Sequence, residues 1–237
     1  MSDWYQQSEN EVLEKFHVTK DGHTSEMAAE LLEKKGENVL EGGKKKSTLQ
    51  VFLSQFADLL VIILIIAAGI SMFTGNQEST LVIVAVIILN AILGTVQHEK
   101  AEKSLDSLKS LSSPTAKVMR DGQKLEIPSK DVVPGDILLL EAGDLVVADG
   151  RILNSYSLQV NESSLTGEST SVDKSEMVIE GEVPLADRVN MVYSSSLVTY
   201  GRGVVVVTGT GMETEIGKIA TLMNATKEKK TPLQVSL

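Results

Sequence analysis

One short run of the sequence has the residue types needed for proton-transfer chemistry. Residues 163–169 read Ser-Ser-Leu-Thr-Gly-Glu-Ser, which places a carboxylate and a glycine among several hydroxyls. A carboxylate can exchange a proton with a reacting group, and hydroxyls can hold a water molecule or a ligand. Taken alone, a glycine beside a carboxylate is more typical of a plain exposed turn. The run is therefore informative only through its surroundings.

Composition excludes several classes of partner and site. The formal net charge is -10, which argues against nucleic acid as a partner, because phosphate binding needs a basic face. The chain has no cysteine, so it contains neither a disulfide framework nor a thiolate zinc site. This composition fits a protein whose soluble part lies in the reducing cytosol.

The sequence contains only incomplete matches to motifs that bind cofactors or metals. Gly-Thr-Gly at 209–211 lacks the next glycine of a dinucleotide site, and Gly-Lys at 217–218 is not followed by the hydroxyl of a P-loop. His-Glu at 98–99 has no second histidine at the spacing of a zinc protease. We predict no cofactor-binding or metal-binding residue in this chain, and we expect His17 and His23 to be solvated.

Two long apolar segments precede the acidic run. Residues 58–77 and 79–98 contain, after Asp58, no Asp, Glu, Lys or Arg. A helix needs roughly 20 residues to cross the hydrocarbon core of a bilayer, and a helix satisfies all its own backbone groups there. The sequence therefore predicts two transmembrane helices joined by a tight turn, within a membrane unit at 47–113.

Basic residues set the orientation of this hairpin. Lysines lie at 44–46 before the first span, and Lys100 and Lys103 follow the second, whereas the tip carries only Glu78. By the positive-inside rule, both ends of the chain are expected in the cytosol, most simply in a plasma membrane. Residues 1–46 are polar and charged, so the first span is expected to be a permanent anchor and not a cleaved leader.

The second span is expected to continue beyond the bilayer. Leu105, Leu108 and Leu111 recur every three residues between charged positions, which is the pattern of an amphipathic helix. We predict a cytosolic stalk that ends near residue 113, before Pro114. A continuous helix of this kind can carry motion from a cytosolic domain into the membrane.

The remaining sequence has the pattern of a small β domain at 114–226. Asp121-Gly122 is typical of a tight hairpin turn, and several short apolar runs separated by glycine turns follow. These short strands favour a distorted jelly-roll-like domain, with a final helix over 213–225. The fold class is thus membrane α plus a mainly-β cytosolic domain.

The two ends of the chain are expected to belong to the cytosolic side. Residues 1–46 contain two short amphipathic patterns, which predict N-terminal helices packed on the β domain. Residues 227–237 are a charged linker followed by Thr-Pro-Leu-Gln, which we interpret as leading toward a third span outside this chain.

Several spaced motifs together resemble one family. Thr166-Gly167-Glu168-Ser169 looks like the actuator signature of P-type ATPases. The patterns at 90–109, 209–219 and 231–234 are similar to the second span with its stalk, and to later segments, of the calcium-pump branch of that family. The resemblance runs in the right order from about residue 10 to the end of the chain, and a series of motifs is far more specific than any one.

The resemblance implies a role for each residue of the signature. In P-type ATPases a phosphate passes through a covalent aspartyl-phosphate, whose hydrolysis needs a water held in line with phosphorus. Glu168 would polarise that water and accept its proton. Gly167 would let the backbone approach the phosphate, and Thr166 and Ser169 would hold the loop or the water.

The resemblance also implies what lies outside the chain. No Asp-Lys-Thr-Gly occurs in the sequence, so the phosphorylated aspartate is expected in a missing domain. ATP and Mg²⁺ would bind there, and most ligands of the transported ion, expected to be Ca²⁺, would lie on later spans. The chain would therefore be an N-terminal fragment that is inactive alone. Its partners would be the bilayer and the missing phosphorylation, nucleotide-binding and transmembrane domains.

Two alternatives remain open at this point. The family resemblance departs from the calcium-pump pattern at His98, Val147 and Asn161, so the chain could belong to a P-type branch that moves H⁺, Na⁺ or Mg²⁺. A second alternative is a non-catalytic two-span membrane protein whose β domain binds a partner. The coding sequence downstream of Leu237 distinguishes this alternative from an ATPase.

Overall fold

The computed structural model of the chain describes residues 3–40, 47–111 and 114–225. These residues form two compact units. One unit combines residues 3–40 with residues 114–225, and the other consists of residues 47–111. The predicted linker at 227–237 lies outside the described residues.

The second unit contains three helices. They are α3 (Thr48–Gln55), α4 (Leu59–Phe73) and α5 (Gln77–Leu111). A capping box opens α3, because the Ser47 side chain accepts from Gln50 N–H while the Gln50 side chain accepts from Ser47 N–H. Helix α5 is continuous over 35 residues, so the extension beyond the second predicted span is helical, as the sequence predicts.

Helix α4 is shorter than the predicted first span. It has 15 residues and is about 22 Å long, against a hydrocarbon core of about 30 Å. The helical structure breaks between α3 and α4. Asp58 caps the start of α4, because its carboxylate accepts a hydrogen bond from Leu60 N–H at 2.9 Å. The two helices are bent by 63° at this break. Among the described helices, the stretch Gln77–Leu105 is long and apolar enough to cross a membrane. If α3 and α4 together form one bent span, the described helices contain two candidate spans.

The apolar side chains of α4 and α5 are mostly exposed. Only 17% of the most apolar 18-residue window of α5 is buried, whereas a core helix of a soluble protein would be mostly buried. Large aliphatic residues with more than half of their surface exposed occur along both helices: Leu59, Leu60, Ile63, Ile66, Ile70, Leu81, Val82, Leu89 and Ile92. Such a continuous apolar surface is not stable in water and needs a covering medium or partner.

The first unit is built on one antiparallel sheet. The strands are β1 (Thr115–Arg120), β2 (Gln123–Pro128), β3 (Ile137–Glu141), β4 (Asp149–Asn161), β5 (Ser171–Asp173), β6 (Met191–Val192) and β7 (Leu197–Gly209). Their order in the sheet is β2-β1-β3-β7-β4-β5, and β6 pairs with β4.

Local geometry of the sheet agrees with the predicted hairpin. Arg120 pairs with Gln123, and both Asp121 and Gly122 have positive φ, as a two-residue hairpin turn requires. Strands β4 and β7 are each 13 residues long, and their register shifts several times along the pair. Such irregularities bend the strands.

The N-terminal helices pack on this sheet. Helix α1 (Glu9–Phe16) places Val12 and Leu13 in a buried cluster with apolar residues of the sheet, namely Ile137, Leu153 and Val206. Helix α2 (Ser25–Lys35) follows, with Ala28 buried. A second cluster fills the sheet interior with valines and leucines from β1, β3, β4 and β7. The prediction that short N-terminal helices pack on the β domain is confirmed.

A buried arginine joins remote parts of this unit. Arg151 is fully buried, and its guanidinium donates to the carbonyl oxygens of Gln7 at 3.2 Å and Glu176 at 2.9 Å. Burial lowers the pKa of Arg151 to about 10. Nearby, the Asn190 amide donates to the carbonyls of Tyr5 and Met177, both at 2.8 Å. The N-terminal segment is thus attached to the sheet through buried polar contacts.

The turn before β3 contains a buried ion pair. Asp136 is fully buried and accepts two hydrogen bonds from the Arg120 guanidinium, at 2.9 and 2.6 Å. The same carboxylate accepts from Val133 N–H at 2.9 Å, which closes the turn. This bidentate contact fixes β1 against the start of β3.

The expectation that His23 is solvated is wrong. Only 3% of His23 is exposed, and its Nε2 lies 3.3 Å from the Pro134 carbonyl oxygen. Gly135 has a φ of 91°, and a Cβ there would lie 2.3 Å from Nε2, so the turn closes directly over the ring. An isolated histidine in the sequence gave no sign of this contact, whereas His17 is exposed as expected.

Candidate functional site

The acidic run forms the tip between two paired strands. Asn161, at the end of β4, pairs with Ser171, at the start of β5. A single helical turn, α6 (Ser163–Thr166), follows β4 and ends at Gly167. We call residues 163–169 the Glu168 loop. The strand pairing at its base means that the loop projects from the sheet as a short, closed element.

Gly167 has the conformation that ends α6. Its φ is 79°, in the left-handed region where glycine is favoured, and its N–H donates to the Ser163 carbonyl at 3.0 Å. A Cβ on Gly167 would meet nothing within 4 Å. Glycine is therefore required here by the backbone conformation, and the space above it is open to an incoming group.

Thr166 holds the loop from inside. Its Oγ1 donates to the Glu162 carbonyl at 3.1 Å and accepts from the Glu168 N–H at 3.2 Å. The hydroxyl thus fixes the backbone of Glu168 relative to the end of β4. The side chain of Glu168 is exposed.

Asn161 links both ends of the loop. Its side-chain oxygen accepts from Ser163 N–H at 3.0 Å, and its side-chain nitrogen donates to the Ser169 carbonyl at 3.2 Å. An aspartate could make only the first of these contacts. Asn161, noted in the sequence only as a departure, is thus part of the loop's framework, and Ser169 takes part through its carbonyl.

A buried ion pair lies beneath the loop. Glu162 and Lys174 have no side-chain exposure, and Oε1 of Glu162 lies 2.7 Å from Nζ of Lys174. Burial raises the pKa of Glu162 and lowers the pKa of Lys174. The Lys174 ammonium also lies 5.9 Å from the ring centroid of Tyr193. Sequence reasoning missed this pair, because nothing marks two residues 12 positions apart as partners.

A second cluster of polar groups lines a cavity of about 170 Å³ in the same unit. The cavity is bounded by Trp4, Tyr193, Asp149 and Lys218 among others. Asp149 accepts from Ser194 N–H at 2.8 Å and from Glu215 N–H, at the start of helix α7 (Glu215–Ala225), at 2.7 Å. Burial raises the pKa of Asp149 to about 6 in spite of these contacts.

The titration of Asp149 gives a pH prediction. Its folded-state pKa of about 6 lies above the usual value of about 3.9 expected in the unfolded chain. At a pH between these two values, the folded state therefore binds more protons than the unfolded state. Relative to Asp149→Asn, the wild-type chain should therefore gain stability as pH falls from 7.5 to 4.5, by roughly 2 kcal/mol. Trp4 is the only tryptophan and lines the cavity, so urea unfolding followed by its fluorescence measures this difference. A difference that stays constant with pH would contradict the prediction.

Comparisons with known proteins agree with the motifs. Residues 110–224 match the family model "P-type ATPase actuator domain", and residues 4–71 match "Cation transporter/ATPase, N-terminus". The chain is 48% identical to a calcium-transporting ATPase of Listeria monocytogenes and 46% identical to calcium-transporting ATPase 1 of Lactococcus lactis, over 98% of its length in each case. It is 42% identical to the probable cation-transporting ATPase F of Mycobacterium tuberculosis over 94% of its length.

The extent of these matches defines what the chain contains. The chain spans about a quarter of these relatives, namely 26%, 26% and 24% of their respective lengths. The matched regions are the N-terminal and actuator domains, and the Glu168 loop lies within the second of them. The chain is an N-terminal fragment that belongs to the family of P-type ATPases.

Proposed function

We propose that this chain is the N-terminal part of an ATP-driven cation pump that carries Ca²⁺ out of the cytosol. The support is its family membership and its similarity to the calcium-transporting ATPases of Listeria monocytogenes and Lactococcus lactis. Since the chain spans about a quarter of those proteins, ATP, Mg²⁺ and the phosphorylated aspartate belong to the remainder of the pump. Among the described residues, no group of three or more acidic, histidine or cysteine side chains is placed to hold a metal ion.

In this proposal Glu168 promotes hydrolysis of the aspartyl-phosphate. The observation that carries it is an exposed carboxylate at the tip of a closed loop, with its backbone fixed by Thr166 and open space above Gly167. Water would attack phosphorus as Glu168 accepts its proton, and the bond between phosphorus and the aspartyl oxygen would break. A rigid loop favours this step because the carboxylate need not be ordered during the reaction.

The helical unit serves as a membrane anchor in the same proposal. The exposed apolar surface of α4 and α5 fits a lipid environment, because lipid would cover these side chains and the helical hairpin would then be stable. The lysines on both outer flanks support an orientation in which both ends of the chain lie in the cytosol, with the hairpin in a plasma membrane. The sheet, bent by the irregular pairing of β4 and β7, would form the distorted jelly roll of the 114–226 domain, with residues 1–46 added to it.

Transport by the complete pump tests this proposal. Inside-out vesicles that contain it should take up radioactive Ca²⁺ when ATP is added outside, and Glu168→Gln should abolish this uptake. In the same vesicles, external protease should cleave the β unit, because the cytosolic face points outward. Normal Ca²⁺ uptake by the variant, or a protected β unit, would contradict the proposal.

The ion is the least constrained part of the proposal, since one similar relative is named only as a cation-transporting ATPase. Another P-type branch would move H⁺, Na⁺ or Mg²⁺ in the same vesicles. Uptake of one of these ions, with no ATP-dependent Ca²⁺ uptake, would support that alternative.

A further inference from the structure

The buried ion pair of Glu162 and Lys174 occupies the base of the Glu168 loop. Glu162 directly follows β4, and Lys174 directly follows β5, so the two charges face each other across the strands that carry the loop. The main chain of Lys174 is itself fixed, because its N–H donates to the Leu158 carbonyl at 2.8 Å and its carbonyl accepts from Ser155 Oγ at 2.7 Å. The ammonium is therefore held from a rigid part of the sheet.

Glu162 is connected to Glu168 by hydrogen bonds. The Glu162 carbonyl accepts from Thr166 N–H at 3.0 Å and from Thr166 Oγ1 at 3.1 Å. Thr166 Oγ1 in turn accepts from Glu168 N–H at 3.2 Å. A change in the backbone of Glu162 would therefore move the backbone of Glu168 through a single intervening residue.

A buried ion pair contributes little to the stability of a fold, but it fixes the positions of its two side chains. Removing both charges from water costs about as much as their attraction returns, so a neutral pair of similar volume is often equally stable. The charges do, however, hold each other at one distance and keep the Glu162 side chain turned inward. Without Lys174, an ionised Glu162 would have to turn toward solvent, and its carbonyl would leave the position that Thr166 requires.

We propose that Lys174, acting through Glu162, is a positioning residue that fixes the Glu168 carboxylate for hydrolysis of the aspartyl-phosphate. This inference rests on the proposed function of Glu168. Lys174 does not touch the reacting atoms, so its effect should be limited to the step that Glu168 serves. Formation of the phosphoenzyme from ATP should be unaffected.

The test separates positioning from stability in the complete pump. Lys174→Met leaves a buried acid unpaired, whereas the double variant Glu162→Gln/Lys174→Met removes both charges and should regain normal thermal stability. We expect both variants to accept phosphate from ATP but to lose it at least about tenfold more slowly than wild type, because a small misplacement of a catalytic group has a large effect on rate. The rate is measured by a chase with unlabelled ATP, so only molecules that have folded and become phosphorylated contribute.

Two controls make the result decisive. Lys130→Met breaks an exposed ion pair with Glu37 and should leave the dephosphorylation rate unchanged. Glu168→Gln should block dephosphorylation, and if it does not, the proposed function itself fails. If Glu168→Gln blocks the step while the double variant loses phosphate at the wild-type rate, the pair is merely structural and the positioning role is overturned.

Discussion

Glu168→Gln in the complete pump should accept phosphate from ATP at a normal rate and then retain it. Glutamine has nearly the same size and keeps the backbone contact with Thr166, but it cannot accept a proton from the attacking water. General base catalysis contributes typically 10²–10⁴-fold, so we expect hydrolysis of the phosphoenzyme to slow by at least about a hundredfold. The measurement is the decay of ³²P-labelled enzyme after the label is chased.

The matched control for this prediction is Glu182→Gln, which makes the same change on an exposed glutamate outside the Glu168 loop. It should lose phosphate at the wild-type rate. Glu168→Asp keeps the charge but shortens the side chain, so an intermediate rate is expected. Normal turnover of Glu168→Gln would remove this residue from the mechanism.

Asp136→Ala should strongly destabilise the β unit. It would leave the Arg120 guanidinium, with a side chain only 11% exposed, without its bidentate carboxylate, and Val133 N–H without its acceptor. Breaking a buried pair on one side typically costs about 3–5 kcal/mol, which is a large share of the stability of a small domain. Urea unfolding of the 237-residue chain in detergent, followed by Trp4 fluorescence, should show an earlier transition or no folded baseline.

An exposed ion pair provides the comparison for Asp136→Ala. Glu30 contacts Lys34 at 2.6 Å on the surface of α2, where both side chains are more than half exposed. Glu30→Ala should leave the unfolding midpoint essentially unchanged, because surface pairs contribute little. Equal effects of the two variants would mean that the Asp136 contact does not have the strength its burial indicates.

Elements determined by local sequence could be predicted. The Asp121-Gly122 turn was predictable because a two-residue turn with positive φ needs those residue types. The continuous helix through Leu111 was predictable because its leucines recur at helical spacing. The Glu168 loop was found through a resemblance, since its residue types alone are equally typical of an exposed turn.

Features determined by distant contacts could not be predicted. The pairing of Glu162 with Lys174 and the burial of His23 depend on strand register and turn closure, which short-range patterns do not encode. Helix α4 is also shorter than the uncharged run of the sequence that contains it. An uncharged run shows where a helix can be apolar, but the cap at Asp58 and the end at Phe73 decide where the helix starts and stops.

The split of the β unit along the chain has a consequence for biosynthesis. Val12 and Leu13 pack against Ile137 and later strand residues, which the ribosome makes more than 120 positions afterwards. At roughly 5–20 residues per second, α1 must wait on the order of ten seconds for its binding surface, while the intervening helices are being made. The apolar side of α1 therefore stays uncovered during that interval, and translational pausing before residue 137 should lengthen its exposure.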